Sequence, residues 1–547
     1  MMSLSCSTLA SRRILQKHLA SFYTRPEVVD FLVRWGLAQA RGVVMDPSCG
    51  DGRFLSSAAR LGATAVIGCD LDPRALDAAR SALSLGHVAA TVHESDFFAL
   101  DPARHPKVDL VVGNPPFIRF QNFVGDSRRR ALQSALSLGV RLTALSSAWA
   151  PFVIHAIRFL RPGGAMAMVV PAEIVQTNYG LQTLEALCRN FGHVHLLAFA
   201  RNFFADAQAD TYLLLAADAG RSCHSVEFHP LESIQQLADV QMSRLASTTL
   251  PVGTTERTPF ALAFLMPKER DAWQQAIASP GVVRLSDIGY ITNGYVTGAN
   301  DFFLMTREAA IEQGLPTAWL HPTVVNAASL RGPEFTTSDV AELEAAGKPH
   351  HLFNPPTAAF LDVHRQQLGA FVRKGTARGI HLRFKCRTRS PWWHVPGLHV
   401  PHLFLPYMVG REPIASVNAA GATYTNTIHG LQLRRAATAR SVGIGLHSTL
   451  TLLSMELHGR TYGGGILKLE PSETQRVHVA VPAGSDAAKE VDRLLRSDDY
   501  LGAVAVADDV VLRGELGLST AVVSLLRSAR DRLVSRRYSR NQGRNIR

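Results

Sequence analysis

The run Val108-Asp-Leu-Val-Val-Gly-Asn-Pro-Pro-Phe117 constrains the fold more than any other stretch of this 547-residue chain. Its apolar residues between 108 and 112 predict a buried strand. Gly113-Asn114-Pro115-Pro116 then stops it, because neither proline has an N–H to give to a sheet ladder. The strand therefore ends in a rigid polar turn. There the Asn114 side-chain carbonyl and a proline backbone carbonyl are acceptors beside the ring of Phe117, a set that suits a planar group carrying an exocyclic amine. An isolated Asn-Pro-Pro fits an ordinary tight loop equally well, so specificity must come from upstream residues.

Upstream, residues 18–36 read as a helix, with Thr24 as N-cap, Glu27 completing a capping box, and Val28, Phe31, Leu32 and Trp35 at helical spacing. Gly42 to Leu55 then runs strand, acid, glycine turn, helix. Asp46 at the strand end can receive a cation, and Gly50 and Gly52 let the backbone approach a ligand. The spacing is not GxGxxG, and no phosphate loop with GK[ST] is present, which favours a cofactor carrying an ammonium over one led by a pyrophosphate. A second strand, Ala65 onward, ends at Asp70, where doubly wound folds hold ribose hydroxyls, and Asp72 is placed to cap the next helix. A third ends at Asp96-Phe97, one carboxylate for an amine and one ring for a stacked base. Val108–Gly113 comes fourth, so four βα units bring polar residues to the carboxyl edge of one parallel sheet.

This set resembles the motifs of S-adenosylmethionine-dependent DNA adenine-N6 methyltransferases over most of residues 18–215, and its order resembles the gamma, Taq-like class of restriction-modification type. The resemblance implies a Rossmann-like class I methyltransferase domain (α/β) followed by a mixed α+β target-recognition domain. It places Thr24 and Pro26 in the N-terminal cofactor motif and Asp46, Ser48, Cys49, Gly50 and Gly52 in the loop around the methionine end. It gives Asp70 to the ribose, Asp96 and Phe97 to the cofactor adenine, and Asn114, Pro115, Pro116 and Phe117 to catalysis, with Phe where the family has Tyr or Phe. Tyr179 falls where the family packs an aromatic on the flipped base, and it serves equally as a helix-face aromatic.

Length exceeds what one core organises, giving a catalytic domain over 1–220, a connecting region over 221–280, and a recognition domain with a basic tail over 281–547. Thr211 to Leu215 reads as an edge strand, and Gly125 to Arg130 as a basic loop that either tracks phosphates or is a solvated turn. In the second half, Arg383, Lys385, Arg387 and Arg389 alternate, so an extended run would put them on one face along a phosphate strand. Trp392 and Trp393 suit either a nucleic-acid groove or core packing. Gly463 to Gly465 admits a close approach or a hairpin bend. Arg527 to Arg547 reads as a helix fraying into a solvated basic end.

The net charge of +12 permits a polyanionic partner. Six scattered cysteines without a CxxC pair argue against a disulfide framework or zinc, so no metal is expected, and they fit a reducing cytoplasm; no apolar run reaches membrane-span length. The expected activity is methyl transfer from S-adenosylmethionine to adenine N6 in a specific duplex DNA sequence by base flipping, as a monomer, with a separate restriction endonuclease as a possible partner. The alternatives are the same chemistry on RNA adenine or a protein glutamine amide, and a DNA-binding defence component without turnover.

Overall fold

In the computed structural model, the described residues are 24–539 apart from 85, 87, 200–210, 254–258, 358–364, 436–437, 462–464 and 485–486. Two compact units divide the chain, the first running to Phe264 and the second from Leu265 to Tyr538.

In the first unit, β1 (Val43–Asp46), α2 (Arg53–Arg60), β2 (Ala65–Asp70), α3 (Pro73–Ser84), β3 (Ala89–Glu94) and β4 (Val108–Gly113) follow helix α1 (Pro26–Gln39). Then come α4 (Gly125–Ser137), α5 (Trp149–Ile157), β5 (Leu160–Pro171), α6 (Glu173–Gln176), α7 (Asn178–Asn190), β6 (Phe191–Phe199) and β7 (Thr211–Ala219). The sheet order is β3-β2-β1-β4-β5-β7-β6, extended by β8 (Ser225–Leu231) and β9 (Thr248–Pro251). β1 to β5 are parallel, and β7 is antiparallel to both neighbours. This is the expected Rossmann-like class I methyltransferase arrangement.

β4 is buried at all six residues, because apolar layers cover both faces. Val108 and Val111 join the layer of α5 and α7, while Leu110 and Val112 join that of α1 and α2. A central parallel strand reads as a continuous apolar run for this reason. α1 sits close to β4: a Cβ on Gly36 would come within 2.4 Å of Leu110 Cδ1. Gly36→Ala should therefore lower stability by about 1–3 kcal/mol despite alanine's better helix propensity, as read by denaturant midpoint.

Four expectations change here. α1 is capped by Arg25 without a side-chain bond, since Pro26 takes the first helical position. Thr24 is thus one residue too early to cap, its carbonyl instead accepts from Arg53 Nη1 at 2.6 Å, and residues 18–23 lie outside the described set. β7 is interior rather than an edge, which fits its apolar run Tyr212–Ala217, buried throughout. Residues 221–280 are not a connector: they supply β8 and β9 to the first sheet, and the unit boundary follows Phe264. Gly125 to Arg130 is the first turns of α4 rather than a loop, with Arg128 bonded to the Phe123 carbonyl at 3.3 Å.

The second unit is mixed α+β. A five-stranded sheet runs in the order Gly289–Asn293, Ile428–Leu433, Leu403–Pro406, Ser416–Asn418, Glu334–Phe335. Trp393 is buried with Phe302, Phe303 and Phe371, so core packing takes the tryptophan pair. Of the basic stretch from Arg527, residues 540–547 lie outside the described set, and the part within the helix Thr520–Ser539 is not a solvated tail. Its Arg537, 3% exposed, pairs with buried Glu456 at 2.8 Å, Arg532 pairs with Glu269 at 3.0 Å, and Arg527 with Asp508 at 2.8 Å. Each arginine found a buried carboxylate on a distant segment, which a local charge count misses. Gly465 meets this helix too, since a Cβ there would lie 2.7 Å from Tyr538 Cδ1.

Candidate active site

Four strand ends build one cavity of about 190 Å3, lined by Thr24, Ser48, Cys49, Gly50, Asp70, Asp96, Phe97, Asn114 and Pro116, among others. Most of the sequence-predicted cofactor and catalytic residues thus come together at the carboxyl edge; Asp46 and Gly52 are buried behind the lining, Pro115 is buried behind the turn, and Phe117 packs half-buried against both apolar layers.

The glycine loop is held from both sides. Gly50 N–H donates to Asp70 Oδ2 at 2.8 Å, and Cys49 N–H donates to the Cys69 carbonyl at 2.9 Å, so the loop after β1 is tied to the end of β2. Gly52 has φ +78°, and a Cβ there would lie 2.9 Å from Ala79 Cβ. Only glycine lets α2 start that close to α3. Burial pushes the thiols of Cys49 and Cys69 up, the latter to about 12, which disfavours the thiolate form.

Asp46 is fully buried at the end of β1, and burial, with Asp70 and Asp51 nearby, pushes its carboxyl up to about 8 against the pull of the Ser48 N–H. Its Oδ1 accepts from Ser48 N–H at 3.1 Å, while Oδ2 is buried without a hydrogen-bond partner. A Cβ on Gly113 would lie 2.6 Å from Oδ1, so the carboxylate rests against the backbone that leads into Asn114. Ser48 closes the link by donating its hydroxyl to the Asn114 carbonyl at 3.1 Å. The cofactor loop and the Asn-Pro-Pro turn are one hydrogen-bonded body.

Asp70 Oδ1 also accepts from Asp72 N–H at 3.0 Å, which leaves each carboxylate oxygen a further acceptor position for hydroxyls. Asp72 caps α3, as expected, by accepting from Arg74 N–H at 3.0 Å. Asp96 Oδ1 accepts from Phe98 N–H at 3.0 Å, and Oδ2 lies 4.0 Å from Arg130. Phe97 lines the cavity, but its ring is 4% exposed and packs on Phe152, His155 and Phe159 at 4.7, 4.6 and 5.2 Å. His155 beneath it, kept neutral with its pKa lowered to about 4 by burial, contacts the Phe97 carbonyl at 3.2 Å and Ser134 Oγ at 2.6 Å.

Sequence reasoning missed Leu71, Ile118, Phe123 and Phe152, which give the cavity its apolar walls. Leu71 had a signal, an apolar residue straight after the strand-end acid, and it is 62% exposed. Phe152 had none, because every residue of α5 is buried and no face stands out.

Tyr179 does not line the cavity. It sits in the first turn of α7, with its hydroxyl on Glu173 and, at 3.2 Å, on Ser147, and its ring 5.8 Å from Trp149. The extended face of Arg383, Lys385, Arg387 and Arg389 does not form either. Phe384–Arg387 is a helical turn, Arg383 pairs with Asp301 at 2.7 Å, and Arg389 bonds the Thr297 carbonyl. Lys385 and Arg387 instead flank the exposed ring of Phe384 at 5.7 and 5.4 Å.

The buried Asp46 oxygen without a partner, the acceptor pair at Asp70 and the apolar walls fit a cofactor with an ammonium, a ribose and a base, so fold and site define a Rossmann-like methyltransferase using S-adenosylmethionine. Residues 11–244 match the N-6 DNA Methylase family, and residues 257–512 match the C-terminal domain of Type II methyltransferase M.Eco57I. The two halves of the chain thus match the catalytic and C-terminal domains of N6 DNA methyltransferases of restriction-modification type. The chain is 26% identical over 474 residues to Type II methyltransferase M.XamI of Xanthomonas campestris pv. amaranthicola, covering 84% of each chain. It is 22% identical over 383 residues to M.AccI of Acinetobacter calcoaceticus, covering 68% of each. Type II methyltransferase M.TthHB8I of Thermus thermophilus is 30% identical over 165 residues, 28% of this chain and 35% of that one.

Proposed function

We propose that this adenine-specific enzyme works on a base flipped out of duplex DNA, with Asn114, Pro115 and Phe117 acting on the base and the second unit reading the target sequence. The observation that carries the reading is the Ser48 to Asn114 bond, which fixes the Asn-Pro-Pro turn to the cofactor loop. Amine and methyl donor are thereby presented to each other by a single body, and such orientation is a large part of catalysis.

S-adenosylmethionine supplies an electrophilic sulfonium methyl. Asp70 would hold its ribose hydroxyls and Asp96 its adenine amino group, between the walls of Leu71, Phe123 and Phe152, while Asp46, buried behind the Ser48 loop with Oδ2 unpartnered, would face its ammonium. Asn114 Oδ1 and the Pro115 carbonyl accept the two hydrogens of the target amine, which draws its lone pair out of ring conjugation. Phe117 stacks on the extruded base and offsets part of the few kcal/mol that flipping costs. In the second unit, Lys385 and Arg387, which have no ion-pair partner among the described residues, meet phosphates, with Phe384 beside them. Arg383 and Arg389 shape that turn from within. Action as a monomer, beside a separate restriction endonuclease, is part of the same proposal.

Phe117→Ala should weaken flipping by about 1–3 kcal/mol. 2-Aminopurine at the target position should then lose most of the fluorescence gain seen with the native enzyme; an unchanged gain would count against the stacking role.

A further inference from the structure

Three side chains outside the cofactor cavity converge on one face of the first sheet. β6 and β8 run parallel, with His195 opposite Glu227 and Leu197 opposite His229. Side chains alternate along a strand, so His195, Glu227 and His229 share a face. His195 Nδ1 lies 3.2 Å from His229 Nε2 and 3.7 Å from Glu227 Oε2, and His229 Nε2 lies 4.0 Å from the same oxygen. A point equidistant from three atoms so spaced is about 2.1 Å from each, the length zinc takes to imidazole nitrogen and carboxylate oxygen.

We propose that His195, Glu227 and His229 form a zinc-type divalent metal site, with three protein ligands and a fourth position open to water. The competing arrangement is a plain hydrogen bond between the two imidazoles. That bond employs only one of the three contacts and leaves the Glu227 oxygen 3.7 and 4.0 Å from the ring nitrogens, whereas a cation between them employs all three. His229 is 1% exposed and Glu227 43%, so the site has a rigid floor and a side open to solvent. A second His/Glu group, Glu344 with His350 and His351, is less suited, because Arg307 already pairs with Glu344 at 3.3 Å.

The position assigns the ion a structural role. β5 and β7 separate β6 from the catalytic strand β4, and β8 is the first strand added beyond β6. A metal held by one residue of β6 and two of β8 clips that extension to the sheet. Methyl transfer has no part for it.

The test is to strip full-length protein with a chelator and titrate it with zinc chloride by calorimetry, with cobalt(II) as spectroscopic probe. One equivalent of zinc, a tetrahedral cobalt spectrum, and a Tm raised by roughly 5–10 °C at zinc a hundredfold above Kd are expected. Glu227→Gln, at a half-exposed position that tolerates the change, and His195→Ala should each weaken binding by about tenfold or more. Glu344→Gln should leave it unchanged. Failure of the native protein to take up zinc, or uptake that survives Glu227→Gln, would overturn the site.

Discussion

Asn114→Ala is expected to lower kcat for methyl transfer to duplex DNA by about 100- to 1,000-fold, with Kd for cofactor and DNA changed less than about threefold. The amide contributes an acceptor whose value is realised as the amine loses its conjugation, so its removal acts on the transition state more than on binding. Single-turnover transfer of labelled methyl, read beside cofactor and DNA titrations, separates the two. The backbone around Asn114 should survive, because Ser48 binds the Asn114 carbonyl and not its side chain. Asn114→Asp keeps an acceptor oxygen, so it should retain more activity than the alanine variant. Near-native turnover in Asn114→Ala would remove Asn114 from catalysis, and label appearing on RNA or protein in place of DNA would redirect the acceptor.

What the sequence disclosed follows from the range of the forces involved. Strand ends were legible because each strand is a short apolar run stopped by an acid or Asn-Pro-Pro, and a parallel sheet brings such stops to one edge. Asp70, Asp96 and Asn114 accordingly meet in one cavity, with Asp46 buried directly behind the Ser48 loop that lines it. Features set by distant partners were not legible. Arg383 looked like one of four arrayed cations, yet Asp301 holds it, and Arg537 looked like a tail charge, yet Glu456 lies beneath it. Phe97 shows the same limit in reverse. Its motif offered the ring to the cofactor adenine, and the ring lines the cavity, while its packing on Phe152 and His155 came from a helix with no readable face. The zinc-type cluster depends on the register of β6 against β8, and no spacing rule for metal ligands spans 32 to 34 residues of ordinary strand and turn.

Asp46→Asn should move stability and cofactor affinity in opposite directions. Burial raises the Asp46 carboxyl in the free protein from 3.8 to about 8, so the folded chain resists ionising it. A carboxylate with a raised folded value leaves stability intact below about pH 4 and erodes it as pH climbs toward 8, because the unfolded chain releases that proton sooner. The asparagine variant should therefore match the native Tm near pH 4 and exceed it at pH 8. Affinity runs the other way, since an ammonium needs the ionised form. Native affinity for S-adenosylmethionine should rise by up to about tenfold per pH unit between pH 6 and 8, while that of Asp46→Asn stays flat. At pH 8 the variant should bind some 30-fold or more weaker, about 2 kcal/mol or more for a hydrogen-bonded charge pair lost from a buried site. Calorimetric titrations at three pH values, beside thermal melts of the same samples, decide it. Equal pH slopes for the two proteins would show that Asp46 is not the ammonium's partner; parallel slopes with a stabilised variant would leave its buried charge as a cost that cofactor binding does not recover.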